Sequence, residues 1–157
     1  MEVDKRLIWA ERRCSRGECC IHDLRIKFKE MGATPQEAEQ MIAALIQNNY
    51  LNEERYVRAF VHDKSKLQGW GVEKIRYALR AKQIPDLLIG KGVSEIDKNV
   101  QKETLRRLLE KKRRSVKGRS QAEVEAKLIR FGLARGFGYE EVVSAASTVA
   151  ATYPGSA

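Results

Sequence analysis

Apolar residues recur along this chain three and four positions apart and almost never alternate with polar ones. That spacing places them on one side of an α-helix, whereas a half-buried strand would need strict alternation. Hydrophobic residues make up 43% of the chain, so the helices can bury a core. We therefore predict an all-α fold with helices over 3–14, 21–31, 35–48, 53–66, 72–82, 86–95, 98–114, 121–132 and 139–152.

Two of the predicted helix starts carry a capping box. The segments TPQE at 34–37 and SQAE at 120–123 pair a cap hydroxyl with a glutamate three residues later. The hydroxyl accepts a hydrogen bond from a free backbone N–H, and the glutamate accepts one from the cap residue. Each cap contributes about 1 kcal/mol and defines the residue at which its helix begins.

The helix starts repeat with a period near 50 residues. Cys20, Gly71 and Ser120 occupy equivalent cap positions, 51 and 49 residues apart. A glycine precedes each cap, and apolar residues follow four and eight positions later: Gly17, Leu24 and Phe28; Gly69, Ile75 and Leu79; Gly118, Val124 and Leu128. This agreement favours a true repeat over chance register. We predict an elongated, curved tandem array of three three-helix repeats, 1–51, 52–97 and 98–157, without a deep pocket.

The chain is strongly basic, and its charge is unevenly distributed. Lys and Arg total 30 against 21 Asp and Glu, which gives a net charge of +9. Divided after residues 50 and 100, the chain carries net charges of 0, +3 and +6. This gradient suggests that one end meets a polyanion or an acidic protein surface. Solvated helix faces with excess lysine explain it equally well, so composition leaves both interpretations open.

The densest positive segment lies at the predicted end of helix 98–114 and in the loop after it. Six cations fall within nine residues there: Lys111, Lys112, Arg113, Arg114, Lys117 and Arg119. Cations at a helix C-terminus complement the helix dipole, which provides a purely structural explanation. Six exceed what a C-cap needs, so we predict contact with phosphate or an acidic partner. Arg76 and Arg80 follow as candidate contacts.

Trp70 has two interpretations. It could stack on a nucleic-acid base, because Lys66, Arg76 and Arg80 lie near it in sequence. A hydrophobic staple with Ile75 across the cap is the preferred interpretation. Trp9 on the first helix is expected to pack in a core or between repeats.

The chain lacks the residue patterns of a metal site or an enzyme. Cys14, Cys19, Cys20 and His22 match no usual zinc spacing, so we expect capping or small apolar roles and no cofactor. Neither GWG at 69–71 nor GKG at 90–92 completes a nucleotide fingerprint. Because the sequence shows no recognisable pair of nucleophile and general base, we expect a binding protein and not an enzyme.

The expected location is the cytoplasm. Three cysteines, two of them adjacent, form no disulfide framework and suit a reducing compartment. The weakly polar run 142–151 is too short to span a membrane, and no apolar signal segment follows the charged start. We expect a monomer that does not associate with membranes.

The middle repeat carries a family resemblance. The segment YLNEERYVRAFV at 50–61 is followed by GWG at 69–71, then Ile75, Leu79 and Ile84. This resembles the RecX family of bacterial recombination regulators, with its "Y-L-x-D/E-x-R-Y-A-x-x-F-V" segment, "G-x-G" and "I-x-x-x-L-x-x-x-x-I". The resemblance implies three tandem three-helix repeats across nearly the whole chain.

The chain departs from the family pattern at several positions. Asn52 stands where an acid is frequent, and Val57 replaces a small residue. Gln83 replaces the glycine usual before Ile84. Gly90 and Gly92 lie inside helix 86–95, where each costs about 1 kcal/mol relative to alanine, so we expect that helix to be weak.

The resemblance implies a non-catalytic regulator, usually an inhibitor, of the RecA recombinase. Such proteins bind the RecA filament on DNA along its groove and suppress ATP hydrolysis, strand exchange and coprotease action in the SOS response. Tyr50, Leu51, Tyr56 and Phe60 are expected in the inter-repeat core, and Glu54 with Arg55 as a local ion pair or helix-start charges. A basic helical module that binds DNA or RNA without a recombinase is the alternative.

Overall fold

The computed structural model describes residues 3–151, which contain nine α-helices, one short π-helical segment and no strand. The α-helices are α1 (Lys5–Arg16), α2 (Ile21–Glu30), α3 (Pro35–Gln47), α4 (Glu53–His62), α5 (Val72–Ala81), α6 (Asp86–Ser94), α7 (Lys98–Arg113), α8 (Gln121–Ala134) and α9 (Tyr139–Ala151). The all-α prediction is confirmed.

Every helix starts within two residues of its predicted position. The predicted helix 53–66 is only partly α-helical. Helix α4 ends at His62, and a π-helical segment, Asp63–Leu67, continues it. Helix α6 forms over Asp86–Ser94 despite its two glycines. Residue 152 and the outer ends of the predicted repeats 1–51 and 98–157 lie outside the described residues.

The two predicted capping boxes differ in the structure. Glu37 donates its backbone N–H to Thr34 Oγ1 at 3.1 Å, and Thr34 N–H donates to the Glu37 carboxylate at 2.9 Å, which completes the first box. At the second, Glu123 N–H donates to Ser120 Oγ at 3.2 Å. The Glu123 carboxylate instead accepts the N–H of Arg119 at 3.0 Å, one residue beyond the cap.

The equivalent cap positions of α2 and α5 are satisfied by other parts of the chain. Cys20 makes no side-chain cap bond; the Glu53 carboxylate accepts the Ile21 N–H at 3.1 Å instead. At the start of α5, the Gly136 carbonyl oxygen accepts the Glu73 N–H at 2.8 Å. The starts of α2 and α5 therefore occupy equivalent positions in the repeat, but different groups accept the free N–H of each helix.

The turn after the second helix of each predicted repeat has one backbone geometry. Gly32, Gln83 and Gly136 have φ values of 85°, 58° and 95°. In each turn the next residue donates its N–H five residues back: Ala33 to Phe28, Ile84 to Leu79 and Phe137 to Gly132. This is the Schellman motif, in which a left-handed residue ends a helix. Its recurrence supports the repeat inferred from sequence.

The helices form two compact units. One contains the described residues up to Phe60 together with Leu79–Gly92; the other contains Val61–Ala78 and the described residues from Val93 onward. The predicted middle repeat, 52–97, contributes to both units, and the repeat boundaries stay a prediction.

Each unit has its own apolar core. In the first, α2 and α1 pack on α3 around Leu24, Phe28 and Leu45, which are at most 2% exposed. In the second, α7, α8 and α9 pack together around Leu109 and Leu128, which have no exposed area. The faces that are left exposed therefore follow from which apolar stripe each helix buries.

Candidate partner-binding surface

Helix α7 presents the start of the basic cluster to solvent. Asp97 caps the helix by accepting the N–H groups of Asn99 at 2.8 Å and Val100 at 3.3 Å. Leu105 and Leu109 are buried in the core of the second unit. Because these leucines orient the helix, the side of its last turn that carries Lys111 is exposed.

A tight loop carries the rest of the cluster from α7 to α8. The Lys112 carbonyl oxygen accepts the N–H groups of Ser115 at 3.0 Å and Val116 at 3.1 Å. Val116 is buried, so it anchors the loop in the core. Its neighbours Arg114 and Lys117 are exposed, as is Arg119. One apolar anchor therefore leaves the cationic side chains of the loop in solvent.

Carboxylates close to the cluster are occupied elsewhere. Glu103 and Glu110 both bind Arg106, the latter at 2.6 Å. These contacts lower the pKa of Glu103 and raise that of Arg106. Across residues 3–151, no carboxylate lies within salt-bridge distance of four of the predicted cations: Lys111, Arg114, Lys117 and Arg119. We call these four residues the uncompensated cluster.

Lys112 has a packing role. Its Nζ lies 5.2 Å from the centroid of the Phe131 ring, and its side chain is partly buried. A cation over an aromatic face stabilises the junction of α7 and α8 and is less available to a ligand. Arg113 is also partly buried. Of the six predicted cations, the four most exposed are therefore the uncompensated cluster.

Arg76 and Arg80 differ from the cluster in their surroundings. The Nε of Arg76 lies 3.9 Å from the Glu73 carboxylate, one turn before it on α5, and its side chain is partly buried. Arg80 belongs to the first unit and lies 3.5 Å from Asp86, with both side chains exposed. Exposed pairs of this kind contribute little to stability. Both arginine side chains therefore lie within salt-bridge distance of a carboxylate, whereas no side chain of the uncompensated cluster does.

Arg107 extends the cluster along α7, although it lies outside the predicted run of cations at 111–119. Arg107, Lys111 and Arg114 are exposed and spaced four and three residues apart, so they follow one face of the helix. The i, i+4, i+7 spacing was the signal that could have found Arg107.

Trp70 lies within a second group of cations. Lys64 Nζ is 4.9 Å and Lys74 Nζ is 4.4 Å from the centroid of its ring. These are different residues from Lys66, Arg76 and Arg80, which the sequence placed near the tryptophan. Because two ammonium groups already lie over the ring, the cation–π contact is internal to the second unit.

The backbone around Trp70 is tightly held. Trp70 donates its N–H to the Lys64 carbonyl oxygen at 2.8 Å, and its own carbonyl accepts from Gln101 Nε2 at 3.3 Å. Gly71 donates to the Arg135 carbonyl oxygen at 2.8 Å. A Cβ at Gly71 would lie 2.3 Å from the carbonyl carbon of Gly136. The second glycine of the GWG segment is therefore required by backbone packing.

Charges in segment 50–61 are paired differently from the prediction of a local Glu54–Arg55 pair. Arg55 binds Glu18 at 3.0 Å and the Asn49 side chain at 2.8 Å. Glu54 instead binds Lys91 Nζ at 2.7 Å, which lowers the pKa of its carboxyl. Of the two predicted roles, the local Glu54–Arg55 pair does not form, because Arg55 binds Glu18 and Glu54 binds Lys91. Glu54 does lie in the first turn of α4, as the alternative role of a helix-start charge predicts.

The apolar residues of this segment pack as expected of core residues. Leu51 is buried, and Tyr50, Tyr56 and Phe60 are partly buried. The rings of Tyr56 and Phe60 lie 5.9 Å apart between centroids. Their proposed role between repeats stays a prediction.

Trp9 packs against the core of the first unit, and Lys27 Nζ lies 5.5 Å from its ring centroid. Trp9 also lines an open groove of about 820 Å³ along α1, together with Ile8, Tyr50 and basic side chains such as Arg12.

The described part of the chain contains no group of three His, Cys, Asp or Glu side chains that could hold a metal ion. Its helices include none with the length and apolar character needed to cross a lipid bilayer.

Comparison with known proteins finds two matching family models in the chain. A sequence model described as "RecX, second three-helix domain" matches residues 52–94, and one described as "RecX, third three-helix domain" matches 100–145. The chain also resembles the crystal structure of RecX from Lactobacillus salivarius with a TM-score of 0.79. That match is 19% identical and covers 92% of this chain and 94% of the other, so it supports the fold.

Curated relatives agree with this assignment. The regulatory protein RecX of Clostridium botulinum is 34% identical over 119 residues, covering 74% of this chain and 55% of the relative. The chain thus spans a little over half the length of such clostridial relatives. The regulatory protein RecX of Actinobacillus pleuropneumoniae is 34% identical over 117 residues, covering 73% of each chain. On these matches, the chain belongs to the RecX family of regulatory proteins.

Proposed function

We propose that this protein is a non-catalytic regulator, acting as an inhibitor, of a RecA-type recombinase. It binds the recombinase filament on DNA in the cytoplasm and modulates ATP hydrolysis, strand exchange and coprotease activity. Through those activities it takes part in DNA repair and the SOS response. Membership in a family of regulatory proteins carries this proposal.

The uncompensated cluster supports a polyanionic partner. Lys111, Arg114, Lys117 and Arg119 are exposed, and the nearby acids Glu103 and Glu110 are bound to Arg106. A filament that contains DNA offers phosphate groups at regular intervals, to which such cations bind with release of counterions. The same cations also suit acidic protein surface on the recombinase.

Regulation by binding needs only a difference in affinity between filament states. An elongated array of the kind the repeat predicts would contact more than one recombinase subunit. If it binds one arrangement of neighbouring subunits better, it shifts the filament toward that arrangement. A coupling free energy of about 1–3 kcal/mol at each step is enough to change turnover severalfold.

The test is ATP hydrolysis by the cognate recombinase on single-stranded DNA, with the chain added below and up to stoichiometric amounts. We expect turnover to fall in proportion to the chain bound along the filament. The proposal is rejected if turnover is unchanged and the intact filament does not bind this protein.

A pair of matched variants tests the surface. Lys111→Gln with Arg114→Gln removes two charges of the uncompensated cluster. Lys98→Gln with Lys102→Gln removes two exposed charges from the beginning of the same helix. We expect about tenfold weaker filament binding for the first variant and about twofold for the second, since position and not total charge decides the contact. Equal weakening would reject this surface while leaving the proposed function standing.

Direct binding to DNA or RNA without a recombinase is the second candidate, and the same cluster favours it. It predicts a steep salt dependence with naked nucleic acid. If both cluster residues contact phosphate, Lys111→Gln with Arg114→Gln lowers the slope of log K against log salt by about 1.4 on single strands. Binding only to the assembled filament would reject this candidate as the main function.

A further inference from the structure

The open groove along α1 has an apolar floor. Ile8, Trp9 and Tyr50 line it and are partly buried, and its volume is about 820 Å³. Trp9 and Tyr50 also pack on the core of the first unit, so their positions are held by the fold. A preformed apolar groove of this size accommodates a few side chains of a bound molecule.

Three cations line the same groove. Lys5, Arg12 and Arg16 are exposed, and Glu11 is the one acid among the lining residues that the structure describes. The three cations are seven and four residues apart in sequence, which places them on one face of α1. With a rise of about 1.5 Å per residue, that face is about 16 Å long. The groove therefore combines its apolar floor with a cationic rim.

The three cations of the rim have no acidic partner, although residues 1–50 carry no net charge. Acids of this segment are bound to other cations: Glu37 binds Arg6 at 3.0 Å, and Glu39 binds Arg25 at 2.6 Å. Within residues 3–151, no carboxylate lies within salt-bridge distance of any of the three rim cations. The groove is therefore locally positive within a segment of balanced composition.

We propose that this groove binds an acidic segment of a partner protein. The segment places one or two apolar side chains against Ile8, Trp9 and Tyr50, and its carboxylates lie beside the rim cations. Burial of the apolar side chains supplies most of the affinity, and the cations select an acidic partner, since guanidinium groups bind carboxylates through paired hydrogen bonds. The groove belongs to the first unit and the uncompensated cluster to the second, so this is an additional interaction surface.

A nucleic acid suits this groove less well than a peptide. Base stacking needs an exposed ring face, whereas Trp9 packs on the core and has Lys27 Nζ 5.5 Å from its ring centroid. A nucleic acid also carries a phosphate at every nucleotide, so it would bring negative charge close to Glu11. A peptide needs carboxylates only opposite the cations, and it can place a neutral or basic residue opposite Glu11.

The experiment uses the full chain and three synthetic peptides of about twelve residues, which matches the length of α1. Each peptide has glutamates on both sides of a central leucine, phenylalanine or methionine, with glutamine elsewhere. Matched controls replace either the glutamates by glutamine or the central residue by serine. Binding is followed by NMR through the indole N–H signals of the two tryptophans, Trp9 and Trp70, which Trp9→Phe or Trp70→Phe assigns.

We expect at least one acidic peptide to shift the Trp9 signal in a saturable way and to leave the Trp70 signal unchanged. Both of its controls should bind at least about fivefold more weakly. The proposal is overturned if no acidic peptide shifts the Trp9 signal at millimolar concentration. Equal binding of the glutamine control overturns it as well, because the rim cations would then select nothing.

A matched pair of variants locates the site. Arg12→Gln with Arg16→Gln removes two cations of the rim, whereas Arg13→Gln with Lys29→Gln removes two exposed cations that do not line the groove. We expect about fivefold weaker peptide binding for the first variant and less than about twofold for the second. Equal weakening in the two variants overturns the assignment of the peptide to this groove.

Other occupants of the groove give different results. A single-stranded oligonucleotide that shifts the Trp9 signal at a lower concentration than every peptide overturns the choice of a protein partner. A Trp9 shift that grows with protein concentration when no peptide is present assigns the groove to a second copy of this chain, which also overturns it. These measurements contain no recombinase, so their failure leaves the proposed function standing.

Discussion

Ile84 donates its backbone N–H to the Leu79 carbonyl oxygen at 3.2 Å, across a turn in which Gln83 has a φ of 58°. The two equivalent turns have glycine at this position, at Gly32 and Gly136. A side chain with a Cβ is strained in this left-handed conformation, whereas glycine adopts it freely.

We predict that Gln83→Gly stabilises the chain by about 0.5–1 kcal/mol, because relief of the strain exceeds the entropy that glycine loses on folding. Urea denaturation measures the change. The reciprocal variant Gly32→Gln should cost about 1 kcal/mol, since a Cβ there meets no atom within 4 Å and only the backbone strain remains. Destabilisation by Gln83→Gly would contradict this explanation.

Gly71→Ala should destabilise the second unit by about 3 kcal/mol or more. A Cβ would lie 2.3 Å from the Gly136 carbonyl carbon and 2.4 Å from its oxygen, and backbone cannot rotate away as a side chain can. Thermal denaturation followed by circular dichroism should show a fall in Tm of well over ten degrees. An unchanged Tm would show that these two backbones are not packed together.

Gly90→Ala should have the opposite sign and stabilise α6 by about 1 kcal/mol. A Cβ at Gly90 meets nothing within 4 Å, so alanine adds helix propensity without a clash. The same thermal measurement tests it, and the pair of variants separates a glycine needed for packing from one that only weakens a helix. A lower Tm for Gly90→Ala would show that this glycine is also required.

Glu37 should make stability depend on acid pH. It accepts the Thr34 N–H and binds Arg6 at 3.0 Å, and these contacts lower the pKa of its carboxyl in the folded chain. A group whose folded pKa is lowered stabilises the fold above its unfolded pKa, and that contribution is lost as pH falls through the folded value. Glu37→Gln should therefore lower Tm at pH 7 and change it much less near pH 3. An equal change at both pH values would mean that the carboxylate charge has no part in it.

The fold was largely predictable because its signals are local. Helix α3 begins directly after Thr34 because the side chains of Thr34 and Glu37, three residues apart, accept each other's backbone N–H. Helical spacing of apolar residues similarly indicates which side of each segment is buried. The candidate site was predictable only as a dense run of cations, without knowledge of which of them are paired.

The pairing of side chains was decided by the tertiary structure. Arg55 binds Glu18, 37 residues away, although Glu54 is its neighbour in sequence. Lys64 and Lys74 lie over Trp70, and no short-range pattern distinguishes them from other nearby lysines. A contact between distant segments depends on how the helices pack, and the spacing of residues within one segment does not predict it.

The sequence by itself therefore determined where helices begin, to within two residues, and where positive charge accumulates. Packing alone decided that Gly71 must be a glycine and that Lys64 and Lys74 lie over Trp70. Helix formation depends on residues three and four apart, whereas steric fit and ionisation depend on every atom that folding brings within a few ångströms.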